Sequence, residues 1–482
     1  MTLKEQLFEN RSLKQIFLKN TFWLTVAEGL SKFFKFFLIP LSARMLGPEK
    51  FGILGYTISL LATVYIFSDF GLASIFIREF KKQETTKDRL FSSLLIIKSV
   101  LLVLSTLAAV ACYFWIDDPQ VRTIFFIILG TTAFDQAKKL WSTISEANSK
   151  MHYRGVGLVS ESAITTLFGL YVLATHPSII GIAWAYFWGN SISFFIMLFL
   201  VRREIPIPLI LDKPLIRRIL KLCIPFLLII GISFLLISTD TLLIKWLLGA
   251  TEVGYYQAAA KFIQFGLIVP YLVNIALYPI MSSLHNQHKR LAEVLKQSIG
   301  ALLMVAIPAL IGGLILGKPI VLKIFGHAYT PSIIIFKILL FSLFIEFLLT
   351  LINNTLLVLN QEKANLKIST AALVMNILLN LILIPFIGIK GSALATVFAK
   401  TFDITATYWL CAKTLKGYRI FPAHTIIHVL AAGLMAIQLI ILNNLHVPVI
   451  LNASIAIGTY SLGLVFFKEP QVWRAITILR NK

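Results

Sequence analysis

The heptapeptide LGPEKFG occupies residues 46–52, directly after a long apolar run, and LGATEVG occupies residues 248–254, directly after another. Leu46, Gly47 and Gly52 align with Leu248, Gly249 and Gly254 at one constant offset. A second pair, IIGIAWA at 179–185 and IKGSALA at 389–395, matches as Ile-x-Gly-x-Ala-x-Ala at nearly the same offset. Two matches at nearly equal offsets predict a duplicated unit, with each loop recurring because the segment around it recurs.

The composition says what solvent that segment meets. Of 482 residues, 58% are hydrophobic and 14% charged, with a mean hydropathy of +0.84. Soluble domains carry about 25% charged residues. Runs of about 18 or more apolar residues can cross a hydrocarbon core roughly 30 Å thick. Backbone polar groups in lipid must be satisfied within the segment, so each run is expected to be a helix. Fourteen spans are predicted: 21–42, 52–77, 91–116, 123–145, 155–175, 182–201, 222–248, 255–284, 297–317, 333–358, 368–386, 392–412, 422–442 and 449–467. The fold class is therefore an all-α polytopic membrane protein. An even number of spans separates the two copies of each motif, so the repeat is parallel: two pseudo-symmetric six-helix bundles at 1–201 and 222–412, a cytoplasmic hinge loop at 202–221, and two further helices in 413–482. Parallel repeats of this kind in transporters place substrate at the repeat interface and let one bundle rock against the other.

The formal charge of +22 invites a nucleic-acid reading, and its distribution removes it. Alternate loops and both termini hold 29 of the 44 Lys and Arg, and the other loops hold 6. Lys- and Arg-rich short loops stay cytoplasmic, which predicts both termini inside. The charged N-terminus has no cleavable signal pattern. Cys112, Cys223 and Cys411 lie singly within apolar runs, without disulfide or metal-ligand spacing. The chain has no GxxxxGK[ST] phosphate loop, no HExxH and no GxSxG, so neither an ATP motor nor a recognisable catalytic centre is expected.

Sixteen ionisable residues fall inside the predicted spans, more than a passive anchor would carry. A charge at the bilayer centre costs about 2.5–3.5 kcal/mol on insertion scales, so such groups face a bundle interior or a wet cavity. Glu28, Lys32 and Lys35 recur at i, i+4 and i+7 on one helix face. Lys32 and Lys35 lie near mid-span, where snorkelling to either surface is hard, and are candidates for a cationic cavity wall. Arg44, Lys245 and Lys261 are the further candidates, with interfacial anchoring as the alternative for Arg44 and Lys245. An arginine such as Arg44 can hold phosphate oxygens in a fork. Glu28, Asp69 and Asp240 are candidates for binding a coupling H⁺ or Na⁺, with plain neutralisation of lysines as the alternative for Glu28 and Asp240. Asp135 with Lys138 and Lys139, and Lys400 with Asp403, have the spacing of pairs within a helix. Glu346 has no partner nearby in sequence, and a lysine of the second bundle is its expected mate. No metal site and no cofactor are expected.

Several stretches resemble the polysaccharide-transport, Wzx-type flippases of the multidrug/oligosaccharidyl-lipid/polysaccharide superfamily. They are ARMLGPEKFGILGY (43–56), SDFGL (68–72), DTLLIKWLLGATEVGYYQAAAKF (240–262), IFGHAYTPS (324–332) and NILLNLILIPFIGIKGSALATVFAK (376–400). The resemblance runs in order from about Leu38 to Lys400 and implies two six-helix bundles with two extra helices. It implies, as activity, translocation of a polyprenyl-diphosphate-linked oligosaccharide from the inner to the outer leaflet of the cytoplasmic membrane. It implies polysaccharide polymerase or assembly proteins as partners, and raises Arg44 as a phosphate ligand. A cation-coupled multidrug exporter and a peptidoglycan-precursor flippase of the same superfamily are the alternatives. The exporter should have a net acidic cavity, against which the lysines of the first span argue.

Overall fold

The computed structural model describes residues 13–69, 71–82, 86–205, 210–473 and 477. Among these it contains fifteen α-helices, two short 3-10 turns and no strand. The chain forms two compact units, Met1–Gly254 and Tyr255–Lys482. The first holds α1 (Leu13–Val64), a 3-10 turn at Tyr65–Ser68, α2 (Leu72–Lys82), α3 (Lys87–Tyr113), α4 (Pro119–Ala147), α5 (Met151–Thr175), α6 (Ile179–Glu204), α7 (Lys213–Leu247) and the first turn of α8 (Ala250–Gly266). The second holds the rest of α8, α9 (Ile268–Ser283), α10 (His288–Phe325), α11 (Ser332–Val358), α12 (Glu362–Ile387), α13 (Ile389–Thr414), α14 (Thr425–Asn444) and α15 (Val449–Phe466).

Ten segments among the described residues are long and apolar enough to cross a membrane. All fourteen expected spans are helical over most of their described residues, but several do not stand alone as apolar crossings. The first two run together in one segment, Phe22–Lys82, and α7 is not among the ten, whereas α8 with α9 forms the single crossing expected at 255–284. α4 carries Asp135, Lys138 and Lys139, and α13 carries Lys400 and Asp403, which lower their apolar content. Of the expected hinge at 202–221, residues 206–209 lie outside the described residues. The helix that follows, α7, packs on α1, α2 and α3.

The repeated loops have the same backbone. Gly47 breaks α1 with φ 76°, ψ 169°, and Gly249 separates α7 from α8 with φ 108°. Positive φ of this kind is open to glycine at no steric cost. Pro48 then sits at the start of the second arm of α1, where its missing N–H would have had no partner. The two loops also meet each other. A Cβ at Gly52 would lie 1.9 Å from the Ala250 carbonyl oxygen, and one at Gly254 would lie 1.9 Å from the Pro48 carbonyl oxygen. Each loop thus lends a glycine to the backbone of the other, an exchange that keeps the symmetry of the duplication. The second repeated motif behaves alike: Gly181 closes against Val172, and Gly391 against the Leu383 carbonyl, each on the preceding helix.

The first unit has two apolar cores at different depths. One gathers Leu38, Leu61, Tyr65, Ile124, Phe125, Ile128 and Ile182. The other gathers Phe76, Phe91, Leu94, Trp141, Ile144, Met197 and Val201. Along α4 the first core takes residues 121–129 and the second takes 140–147. The intervening stretch, with Asp135, Gln136, Lys138 and Lys139, is where the polar chemistry lies. In the second unit, α11 and α13 pack together, and α14 packs on α10 and α15.

A charged belt at mid-depth as the candidate functional site

Four helices of the first unit and the turn ending at Asp69 bring ionisable side chains to the layer between the two cores. The Glu161 carboxylate on α5 accepts from Lys35 Nζ of α1 at 3.1 Å and from Lys138 Nζ of α4 at 2.5 Å. Lys138 also donates to Asn190 Oδ1 on α6 at 3.1 Å and lies 3.3 Å from Asp135 Oδ1. Asp135 in turn holds Lys139 at 2.9 Å. Beside this chain, Lys98 of α3 reaches Asp69 Oδ1 at 3.0 Å and Gln136 Oε1 at 3.4 Å, and the Ser68 hydroxyl donates to Gln136 at 3.0 Å. Lys139 lies within electrostatic reach of Asp69, which joins the two groups.

Helix geometry places the belt well inside the membrane. At 1.5 Å per residue, Lys35 lies about 18 Å before the Gly47 kink, Asn190 about 17 Å into α6 and Glu161 about 21 Å before the end of α5. A hydrocarbon core is roughly 30 Å thick. The Lys138 and Lys98 side chains are 5% and 3% exposed, whereas Lys35 and Lys139 are 35% and 52% exposed. A partly exposed ammonium at that depth is costly against hydrocarbon, which favours a hydrated space beside these two. The belt holds four lysines and three carboxylates, which leaves one positive charge over. Its buried members are paired, as burial demands. The surplus sits with the exposed lysines, where an anion could reach it.

The sequence-predicted residues fall in several places. Lys35 and Asp69 enter the belt. Lys35 is paired not within its own helix but with Glu161, because an α5 carboxylate faces it across the helix interface. Glu28 and Lys32 are half-buried one to two turns before it on α1. Arg44 is exposed one turn before the Gly47 kink. Asp240 is 3% exposed on α7. Lys245, near the end of α7, donates to Asp118 Oδ2 at 2.6 Å and lies 5.9 Å over the Tyr56 ring, tying α7 to the N-cap of α4. Lys261, in the second unit, donates to Gln264 one turn on at 3.2 Å.

The paired carboxylates partly follow expectation. Asp135 does bind Lys138 and Lys139 on its own helix. Glu346 does meet a lysine of its own half, and that lysine is Lys400, which corrects the expected Lys400–Asp403 pair. Asp403 instead accepts from the Thr407 hydroxyl at 3.1 Å. Sequence reasoning did not single out Lys98, Gln136, Lys138, Lys139, Glu161 and Asn190 as site residues. Their signal was depth: counted from their helix ends, they converge on one layer.

Residues 17–285 match the family described as polysaccharide biosynthesis protein, and residues 157–466 match the family described as lipid II flippase MurJ. A putative O-antigen transporter of Shigella flexneri is 22% identical over 420 residues, covering 83% of this chain and 99% of that protein. A probable low-salt glycan biosynthesis flippase, Agl15 of Haloferax volcanii, is 28% identical over 159 residues, covering 33% of this chain and 34% of the relative. Among solved structures, lipid II flippase MurJ in an inward closed conformation superposes with a TM-score of 0.76 at 16% identity, covering 92% of this chain and 98% of that one. An outward-facing multidrug-resistance MATE transporter of the MOP superfamily superposes with a TM-score of 0.60 at 14% identity, covering 87% and 99%. At these identities the superpositions speak for the fold. On the family match at residues 17–285, which spans more than half of its length, the chain belongs to the polysaccharide biosynthesis proteins, in line with the resemblance of its loop motifs.

Proposed function

We propose that the protein is a flippase that carries a polyprenyl-diphosphate-linked oligosaccharide from the inner to the outer leaflet of the cytoplasmic membrane by alternating access. The observation that carries this reading is the mid-depth belt with its surplus positive charge and its two partly exposed lysines, Lys35 and Lys139. A diphosphate headgroup brings about two negative charges, and an isolated ion is far too costly to bury. Exposed ammonium groups halfway across compensate that charge where it would otherwise be least stable. Lys138 and Lys98 keep the neighbouring carboxylates neutralised, so the surplus is not cancelled locally. The sign of the belt argues against an exporter of organic cations, whose path would favour net acidity. In this reading Asp69, Glu28 and Asp240 are the groups through which an H⁺ or Na⁺ gradient would bias the cycle. The residues 202–221 then connect the two duplicated halves.

A second cargo is favoured by one observation: residues 157–466 match the lipid II flippase family. Such a peptidoglycan precursor presents the same diphosphate to the same lysines. Extraction of lipids from cells lacking the gene separates the readings. Accumulation of a complete lipid-linked repeat unit on the cytoplasmic side, restored by the wild-type gene but not by Lys35→Ala/Lys139→Ala, is the expected outcome. Accumulation of the peptidoglycan precursor alone would assign the second cargo. Normal intermediates together with new sensitivity to cationic drugs would overturn both.

A further inference from the structure

The second unit buries a cluster of titratable side chains that the proposed transport does not use. Glu469, three residues past the end of α15, has a side chain with no solvent exposure. Its Oε2 accepts the Val472 N–H at 2.7 Å and caps the helical turn at 470–473. Its Oε1 has no hydrogen-bond donor, yet two imidazoles face it: His424 Nε2 at 3.4 Å and His428 Nε2 at 3.6 Å. His424 is the N-cap of α14, and His428 lies one turn on, fully buried. Both ring nitrogens of His428 are buried without a hydrogen-bond partner, as is the Tyr460 hydroxyl of α15, another titratable group that Glu469 influences. From α10, the Gln297 carbonyl accepts the Gln471 amide at 2.9 Å, and Gly300 approaches His424 and Gln471. Neither of these α10 groups is charged.

A carboxylate with one bare, buried oxygen cannot stay ionised beside two neutral imidazoles without a large desolvation cost. One added proton resolves this, turning one imidazole into a cation hydrogen-bonded to the carboxylate while the other stays neutral. A metal ion would satisfy the same ligands, but among the described residues no group of three His, Cys, Asp or Glu is arranged to hold one. We propose that His424, His428 and Glu469 form a proton-binding site that latches the segment at 469–473 onto α14 and α10. The latch holds while the proton is bound. As pH rises and the proton leaves, Glu469 is stranded as an uncompensated buried anion and the segment undocks.

The test is hydrogen exchange at the Val472 and Trp473 amides of the full chain in lipid nanodiscs, at steps from pH 5.5 to 8.5 and corrected for intrinsic exchange rates. Those amides bond to the Glu469 side chain and carbonyl. Protection should fall at least about tenfold across the range where imidazole titrates, and Glu469→Gln should remove that dependence. The same profile is expected with and without a chelator. Constant protection in the wild-type protein overturns the proposal, whether or not a variant folds. So does a pH dependence that survives both Glu469→Gln and His424→Gln/His428→Gln, or one that appears only after chelation.

Discussion

Replacing Glu161 with glutamine removes the one carboxylate that two lysines share. Lys35 loses its 3.1 Å partner and Lys138 its 2.5 Å partner. Breaking a buried ion pair from one side costs about 3–5 kcal/mol. Three features reduce that here. Lys138 keeps Asn190 and Asp135, Lys35 is about one-third exposed, and the glutamine carbonyl still accepts a hydrogen bond. A net loss of about 2–3 kcal/mol follows. For a unit of this size each kcal/mol moves Tm by about 2–4 °C, so Glu161→Gln should melt about 4–12 °C lower. Lys35→Gln should cost less, about 1 kcal/mol or under, because Glu161 retains Lys138 and the exposed end of the pair is the one removed. The assay is thermal unfolding of both variants and the double variant in one detergent, with the double-mutant cycle giving the coupling. If Glu161→Gln melts within about 1 °C of wild type, or Lys35→Gln is the more destabilising, the belt is not the paired network described above.

Two other perturbations bear on the loops. Gly52→Ala and Gly254→Ala each drive a methyl group into a backbone carbonyl now 1.9 Å from the Cβ position, so each should cost about 2–3 kcal/mol, the upper part of the overpacking range, read as a lower Tm. An unaltered Tm in both would refute the mutual approach of the repeated loops. At Asp118, burial raises the carboxyl pKa, but the Lys245 hydrogen bond and charge, with the Gln120 and Val121 N–H groups, hold it below the usual carboxylate range. A depressed folded value means the stabilisation is present above the unfolded pKa of about 3.9 and lost as pH falls through the folded value. Asp118→Ala should therefore lower Tm at pH 7 by the equivalent of about 1 kcal/mol, the loss of an N-cap. The gap from wild type should narrow as pH drops below about 4.

Much of this architecture is legible in the chain itself. Apolar runs fixed the helices because lipid leaves the backbone no alternative, and the paired LG…G loops disclosed the duplication because glycine is required twice over, for positive φ at Gly47 and Gly249 and for close approach at Gly52 and Gly254. Asp135 with Lys138 and Lys139 could be paired by eye, since helical spacing alone brings them together. Lys35 could not. Its partner Glu161 lies 126 positions away, and Lys245 finds Asp118 at a separation of 127. Such pairs depend on which helix faces which, information that no local period contains. The span count differed for a related reason: the charges that make α4 part of the site also make it too polar to stand out as a crossing.

The most direct test of the central claim is translocation in proteoliposomes of two lipids that differ only in the headgroup linkage, a polyprenyl-diphosphate-linked oligosaccharide and its uncharged, phosphate-free analogue. The belt predicts that the diphosphate lipid moves, that the neutral analogue does not, and that Lys35→Gln/Lys139→Gln slows the former at least about tenfold, one decade for about 1.4 kcal/mol of lost charge compensation. Equal transport of both lipids, or a diphosphate rate untouched by neutralising the two lysines, would contradict it.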